Sequence, residues 1–567
     1  MSLPSLLLCS AVLASSPADV RPIADDVFLA SIARAEESVD AVSARADDSV
    51  DALIARGRTE LAAGRAAEAQ KIFEEAEKKD SRSLRTRVWV LRSWMAQNRM
   101  NDALNAIDEL SKGGAKGPEI DYLYGMAFGL TARTHIEQGN GGGVIEMNLK
   151  DAVNFLARAT KADPERFSDA FPLLAECAWN TQDLDVGRAA AEQAAARQPK
   201  NADAQLMLGR IALKQYSAIS TDESQKALAD KHWETGRAAL AKAIELLASA
   251  SDVESKKTLA KAHVDLGHAS IWKGKLDDAV KEYGLALGAD CSVVNFQPIL
   301  AALGSEKFLA ALEAGEKAFK DSSGPTANGD AALLWWLGWA RFDQKQYDKA
   351  DAALSEAVAK NASFINSWYW IALARYYQKN YEGAVLALGR YHDENAADLA
   401  QSIKTNADLN LKILDFLVGW CAQQQKNLEA AILSETQAAV APQNADYWNN
   451  AGLFYREAGA ALRKSDKAED RTQAASDFEK SYAAYTKALE IAPDNPSLLN
   501  DTAVMLHYYL DRDLDKAKAM YVNAAEKAEA ELKRTDLDAD TRDRLQTALR
   551  DSKNNLAKLE KGDKKEN

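Results

Sequence analysis

Few residues in this chain are typed and spaced for chemistry. Among its six histidines, His263 and His268 lie five positions apart, about 500° around a helix, so they do not share a face as a metal-binding pair four apart would. No HExxH zinc motif, GxxxxGK[ST] phosphate loop or GxSxG nucleophile elbow occurs. The glycine-rich stretch 139–143 has no Lys-Ser or Lys-Thr after it and reads as an insertion. Acidic pairs such as Asp25-Asp26, Glu36-Glu37 and Asp47-Asp48 solvate helix faces, and a glycosidase-like carboxylate pair is defined by a separation that spacing alone does not supply. Cys9, Cys177, Cys291 and Cys421 are too scattered for a disulfide framework or thiolate metal site, so they are expected as small buried hydrophobes. The expectation is a chain without catalytic residues, metal or cofactor. Asn361-Ala362-Ser363 fits the glycan-acceptor rule, which matters only in a eukaryotic secretory setting.

Large rings at helical spacing are the more informative feature. Within 331–343, Ala332, Trp335, Trp339 and Phe342 follow one another by steps of three, four and three, which puts them on one helix face. Tyr369, Leu373 and Tyr376 take matching places further on, as do Phe416 and Trp420. Such rings can form a recognition surface, because aromatic anchors provide rigid apolar area at little entropic cost. They can equally be packing between neighbouring elements, or a small-ligand or carbohydrate site. All three readings stay open here.

The elements that must position these rings repeat. Leu337-Gly338, Tyr347, Ala350, Leu354 and Ala357 recur as Ile371-Ala372, Tyr381, Ala384, Leu388 and Tyr391, with Gly338 and Ala372 34 residues apart. Each copy has apolar and small residues three and four apart, a polar turn, and then the same rhythm again, which predicts two helices per period. One such hairpin cannot bury its own apolar faces, so copies must stack. The pattern resembles the tetratricopeptide repeat (TPR) family: a large and a small residue early in the first helix, an aromatic at its end, a small residue in the second helix and often a proline after it. The resemblance implies an all-α, right-handed superhelical solenoid of antiparallel helix hairpins. It also implies that the first helices line a concave groove, whose floor would carry Trp335, Trp339, Phe342, Tyr369, Tyr376, Phe416 and Trp420. This surface is aromatic where the chaperone-tail-binding members carry a Lys and Asn clamp, which argues against an acidic C-terminal tail as ligand.

Twelve units can be traced, opening near Leu53, Arg85, Glu119, Asp169, Ala202, Ala260, Ser292, Ala331, Ile365, Lys412, Ala445 and Leu498. Three are expanded: Gly125 precedes Ala152 by 27 residues and Gly209 precedes Gly236 by 27, against 12 in the short form, and 463–477 enlarges a third. The expected organisation is a signal peptide at 1–14, an acidic leader or amphipathic helix at 15–52, and a first array at 53–320. A linker or bend at 321–330 then leads to a second array at 331–530, a capping helix at 531–560 and a disordered tail at 561–567. Residues 3–14 suit a secretory h-region but lack the usual positive charge before it, so periplasmic or secreted and cytoplasmic locations both stay open. Cys9 follows Leu8, which does not fit a lipoprotein signal.

A net charge of −14 and a pI near 5.2 argue against nucleic acid as the main partner. The functional expectation is a non-catalytic scaffold or adaptor that binds a protein or peptide, with an envelope-associated complex as one setting and no transmembrane segment. The competing expectation is a regulatory or carrier subunit associated with an enzyme or with carbohydrate binding.

Overall fold

The computed structural model describes residues 49–81, 83–321 and 327–563. The expected signal and Cys9, nearly all of the leader, the middle of the expected linker and the last four residues of the tail lie outside the described residues. Among the described residues there are 24 α-helices and no strand. They belong to two compact units divided between Ala340 and Arg341. The expected linker at 321–330 is helical at both ends, since Phe296–Asp321 runs into it and Ala327–Asp343 begins within it.

In the first unit, helices pair as Val50–Ala62 with Ala66–Lys79, Pro118–Glu137 with Gly143–Ala162, and Ala202–Ile219 with Lys226–Leu247, with shorter pairs between them. The second unit pairs Ser367–Tyr377 with Tyr381–Lys404, Ala407–Gln423 with Asn427–Val440, and Ala445–Leu462 with Ala468–Ile491. Both are built of consecutive helix hairpins, the helical repeat that the sequence pattern leads one to expect. Most of the added residues of the expanded units lengthen helices rather than form loops: the pair after Gly117 has 20 residues in each helix. Antiparallel helices extended together keep burying their facing sides, whereas a long loop would leave backbone groups to water. The degenerate stretch after Ser292 is a helix broken at Gly304, whose φ of 73° only glycine adopts cheaply.

The turn inside the hairpins is itself repeated. Gly64, Asn98, Gln182, Gly274, Lys345, Lys379 and Gln425 all have φ between 58° and 75°. In each case the next residue donates its N–H to a carbonyl five positions back, as in Gln346 to Arg341 at 2.8 Å, Asn380 to Arg375 at 2.9 Å and Lys426 to Cys421 at 2.9 Å. This is the Schellman closure, which satisfies carbonyls the helix end would leave open. Five of the seven positions hold a side chain in the left-handed region, where L-residues are strained. Gln425→Gly is therefore expected to stabilise the protein by about 0.5–1 kcal/mol, once the entropy of glycine is subtracted. A shift of the urea midpoint to higher concentration at unchanged slope would show this, and an unchanged or lower midpoint would reject it.

Helices within a hairpin approach closely where the first carries glycine. A β-carbon at Gly125 would lie 2.6 Å from Leu156, one at Gly267 2.6 Å from Tyr283, and one at Gly452 2.8 Å from Tyr485. These are the small-against-large positions of the sequence pattern, and Tyr283 and Tyr485 are fully buried there. Cys177, Cys291 and Cys421 are buried too, as expected of small hydrophobes, and desolvation pushes the Cys421 thiol up to about 12.

Burial also holds His232, His268 and His507 below the ordinary histidine value near 6.5; a positive Arg188 adds to this at His232, while Asp265 opposes it at His268. A depressed folded pKa means that the stability these neutral rings carry is fully present above about 6.5 and is lost as pH falls below it. Scanning calorimetry should show the melting temperature falling from pH 7 to 5, with a shallower fall in His507→Phe. Equal slopes in the two proteins would count against the assignment.

Candidate functional site

The rings singled out by helical spacing separate into covered and open ones. Trp335 and Trp339, in the first unit, are 1% and 7% exposed. They pack with Trp336, whose ring centroid is 5.1 Å from Trp335 and 6.0 Å from Trp339. Trp336 also stacks on Phe296 at 5.4 Å and meets Phe308 edge-on at 5.8 Å. Tyr369, in the second unit, is 1% exposed. Its hydroxyl accepts from the Asn410 side-chain amide at 3.0 Å, and that same amide donates to the Ile403 carbonyl at 2.9 Å. These three rings, expected on an open groove floor, are instead enclosed: Trp335 and Trp339 lie against Trp336 within their own unit, and Asn410 of a later helix lies against Tyr369.

Phe342, Tyr376, Phe416 and Trp420 are at least partly open, and the fold joins them through rings that helical spacing did not select. Phe342 lies 5.4 Å from Tyr347, and Tyr347 stacks on Tyr377 at 5.0 Å with an interplanar angle of 15°. Tyr377 touches Tyr376 at 5.4 Å, and Tyr376 reaches Phe416 at 5.7 Å. Tyr381 packs on Phe416 at 4.8 Å and extends the series to Trp420 at 6.3 Å. Within one unit, six rings plus Trp420 thus make an unbroken strip, with Tyr377 39% and Phe416 45% exposed.

Local structure explains where the strip lies. Phe342, Tyr376 and Tyr377 end first helices, whereas Tyr347 and Tyr381 are the first residues of the second helices. The strip follows the hairpin turns, and the Schellman closures at Lys345 and Lys379 hold the two helix ends together. In the helix Ala407–Gln423, Ile413, Leu414, Leu417, Val418 and Cys421 face inward, which leaves Phe416 and Trp420, four apart, on the other side. Arg375 ties the turns by a two-pronged contact with Asp351 at 2.8 and 3.0 Å and by donating to the Gly383 carbonyl at 3.3 Å. Gln378 donates to the Tyr347 carbonyl at 3.0 Å.

Burial raises the Tyr347 and Tyr377 phenols above their ordinary value, and at Tyr377 the neighbouring Tyr347 and Tyr376 add to it. Tyr347 and Tyr377 therefore offer neutral hydroxyls beside the ring faces of the strip, which suits apolar contacts and hydrogen bonds to peptide groups. Tyr347 and Tyr381 already stood out in sequence as repeat markers. Tyr377, which bridges the two halves of the strip, carried no periodic signal. Among the described residues, no group of three or more His, Cys, Asp or Glu is placed to hold a metal ion, and no helix is long and apolar enough to cross a membrane.

No protein-family model and no curated protein sequence matches this chain. Among solved structures, it is similar to the TPR domain of P58(IPK), at 14% identity and a TM-score of 0.18, over 76% of this chain and 99% of that one. It is also similar to yeast Tom70, at 11% identity and 0.20, over 77% and 96%, and to the Cut9–Hcn1 hetero-tetramer of the APC/C, at 12% identity and 0.27, over 88% and 97%. Identities and scores this low carry no functional inference.

Proposed function

We propose that this chain is a non-catalytic scaffold that holds an extended, largely uncharged protein segment along the aromatic strip from Phe342 to Trp420. The observation carrying this reading is the continuity of the strip: ring after ring touches within one unit, and two of them remain open to solvent. An exposed aromatic patch is costly in water unless something covers it. The spacing of side chains in an extended peptide lets alternate residues settle between successive rings, while the tyrosine hydroxyls meet its backbone.

A peptide-library selection on the intact protein, repeated with Phe416→Ala, tests the proposal. Peptides selected on the unaltered chain should bind the variant about tenfold to thirtyfold more weakly, as for a central aromatic anchor. Phe416 is half-open, so melting should change little. Selected peptides that bind both proteins equally would sink the reading.

A further inference from the structure

The third expanded hairpin carries a second surface that the aromatic strip does not use. Here an open cleft of about 570 Å³ is lined by Arg463, Arg471, Phe478, Glu479, Tyr509 and Leu510, among others. Its floor is apolar: Ala474 and Phe478 are buried, and Phe478 lies 4.7 Å from the Tyr509 ring. Gly459 sets the floor's position, because a β-carbon there would come within 2.6 Å of the Phe478 ring and hold it away from the helix.

The walls are cationic. Arg463 ends the helix Ala445–Leu462 and lies over the Tyr509 ring at 5.6 Å. Arg471 spends its guanidinium on two backbone carbonyls, Ser465 at 2.9 Å and Asp466 at 2.8 Å, which orders the loop without neutralising its charge. The one acidic lining residue, Glu479, is already engaged by Arg512 through two contacts of 2.7 Å. Two guanidinium charges thus face an apolar floor on a chain that is otherwise strongly acidic.

The backbone at the lip departs from regular helix. Met505–Leu510 is π-helical, and Asp511 and Asp513 both lie in the left-handed region at φ 49° and 52°. The π turn carries Tyr509 and Leu510 to the cleft edge, and such turns occur frequently at functional sites. Left-handed aspartates are a local cost that the surrounding packing sustains.

We propose that this cleft binds an acidic peptide segment of a partner protein, in which adjacent carboxylates pair with Arg463 and Arg471 and a following aromatic or aliphatic side chain seats on Phe478 and Tyr509. Complementarity of charge selects this occupant, since guanidinium forks match carboxylates in geometry as well as sign.

The test uses the full chain and a fluorescein-labelled, capped peptide with two adjacent glutamates followed by phenylalanine, read by fluorescence anisotropy. The expected result is saturable binding that weakens with added sodium chloride, falls about tenfold or more with Arg463→Ala, and falls comparably when glutamine replaces both glutamates. Phe416→Ala leaves this affinity unchanged, so the cleft and the aromatic strip fail or succeed separately. Absence of saturation below about 1 mM overturns the proposal, as does equal binding of the glutamine peptide or an unchanged affinity in Arg463→Ala. Displacement by inorganic pyrophosphate at lower concentrations than by unlabelled peptide assigns the cleft to phosphate ligands instead, and overturns it too.

Discussion

Trp335→Ala is expected to destabilise the packing around the helix Ala327–Asp343 by about 3–5 kcal/mol, the range for deleting a fully enclosed large side chain. Trp335 is 1% exposed and lies 5.1 Å edge-on to Trp336, which in turn stacks on Phe296. The substitution leaves a cavity among rings that cannot all move inward, so transfer and cavity terms both count. Circular dichroism in urea should show the midpoint falling sharply, with hydrogen exchange accelerating first at 296–312 and 331–340. A binding surface would give the opposite pattern, with near-normal melting and weak capture of ligand. A midpoint within about 0.5 kcal/mol of the unaltered protein, the range of an ordinary surface change, would restore Trp335 to the open surface.

The second large effect is expected at the crossing of Ala202–Ile219 and Lys226–Leu247. Gly209 and Gly236 face one another there: a β-carbon on Gly209 would meet Leu240 at 2.6 Å and the Gly236 carbonyl at 3.2 Å, and one on Gly236 would meet Leu213 at 2.7 Å and the Gly209 carbonyl at 3.1 Å. Leucine side chains can shift, but the facing backbone cannot without separating the helices. Gly209→Val should cost about 3 kcal/mol, at the upper end of overpacking penalties. The double variant Gly209→Ala, Gly236→Ala should depart from the sum of its single changes, because both insertions press on one contact. Additive effects would mean that the helices part independently at the two sites, which their shared contact does not allow.

The aromatic strip and the buried tryptophans illustrate how far the sequence reaches. Trp335 and Trp339 sit four apart, as do Phe416 and Trp420. Helical spacing puts each pair on one face and cannot say which face a neighbour covers. Trp336 covers the first pair, whereas the helix Ala407–Gln423 buries Ile413, Leu417 and Cys421 and turns Phe416 outward. Tyr377 joined the strip by position alone: it is the last residue of its helix, and the Schellman turn beside it brings its ring onto Tyr347.

By itself the sequence determined the local elements. A 34-residue recurrence of small and large residues fixed paired helices, since the 3.6-residue turn decides which side chains share a face and a glycine decides where another helix can come close. The expanded units were visible as spacing, but their conversion into longer helices rather than loops was settled by the facing surfaces those helices found. The tertiary structure alone decided exposure: which rings are enclosed, which form the strip along the hairpin turns, and which arginines are left without a carboxylate beside an apolar cleft. Burial depends on atoms supplied by residues distant in the chain, and a local repeat carries no record of them.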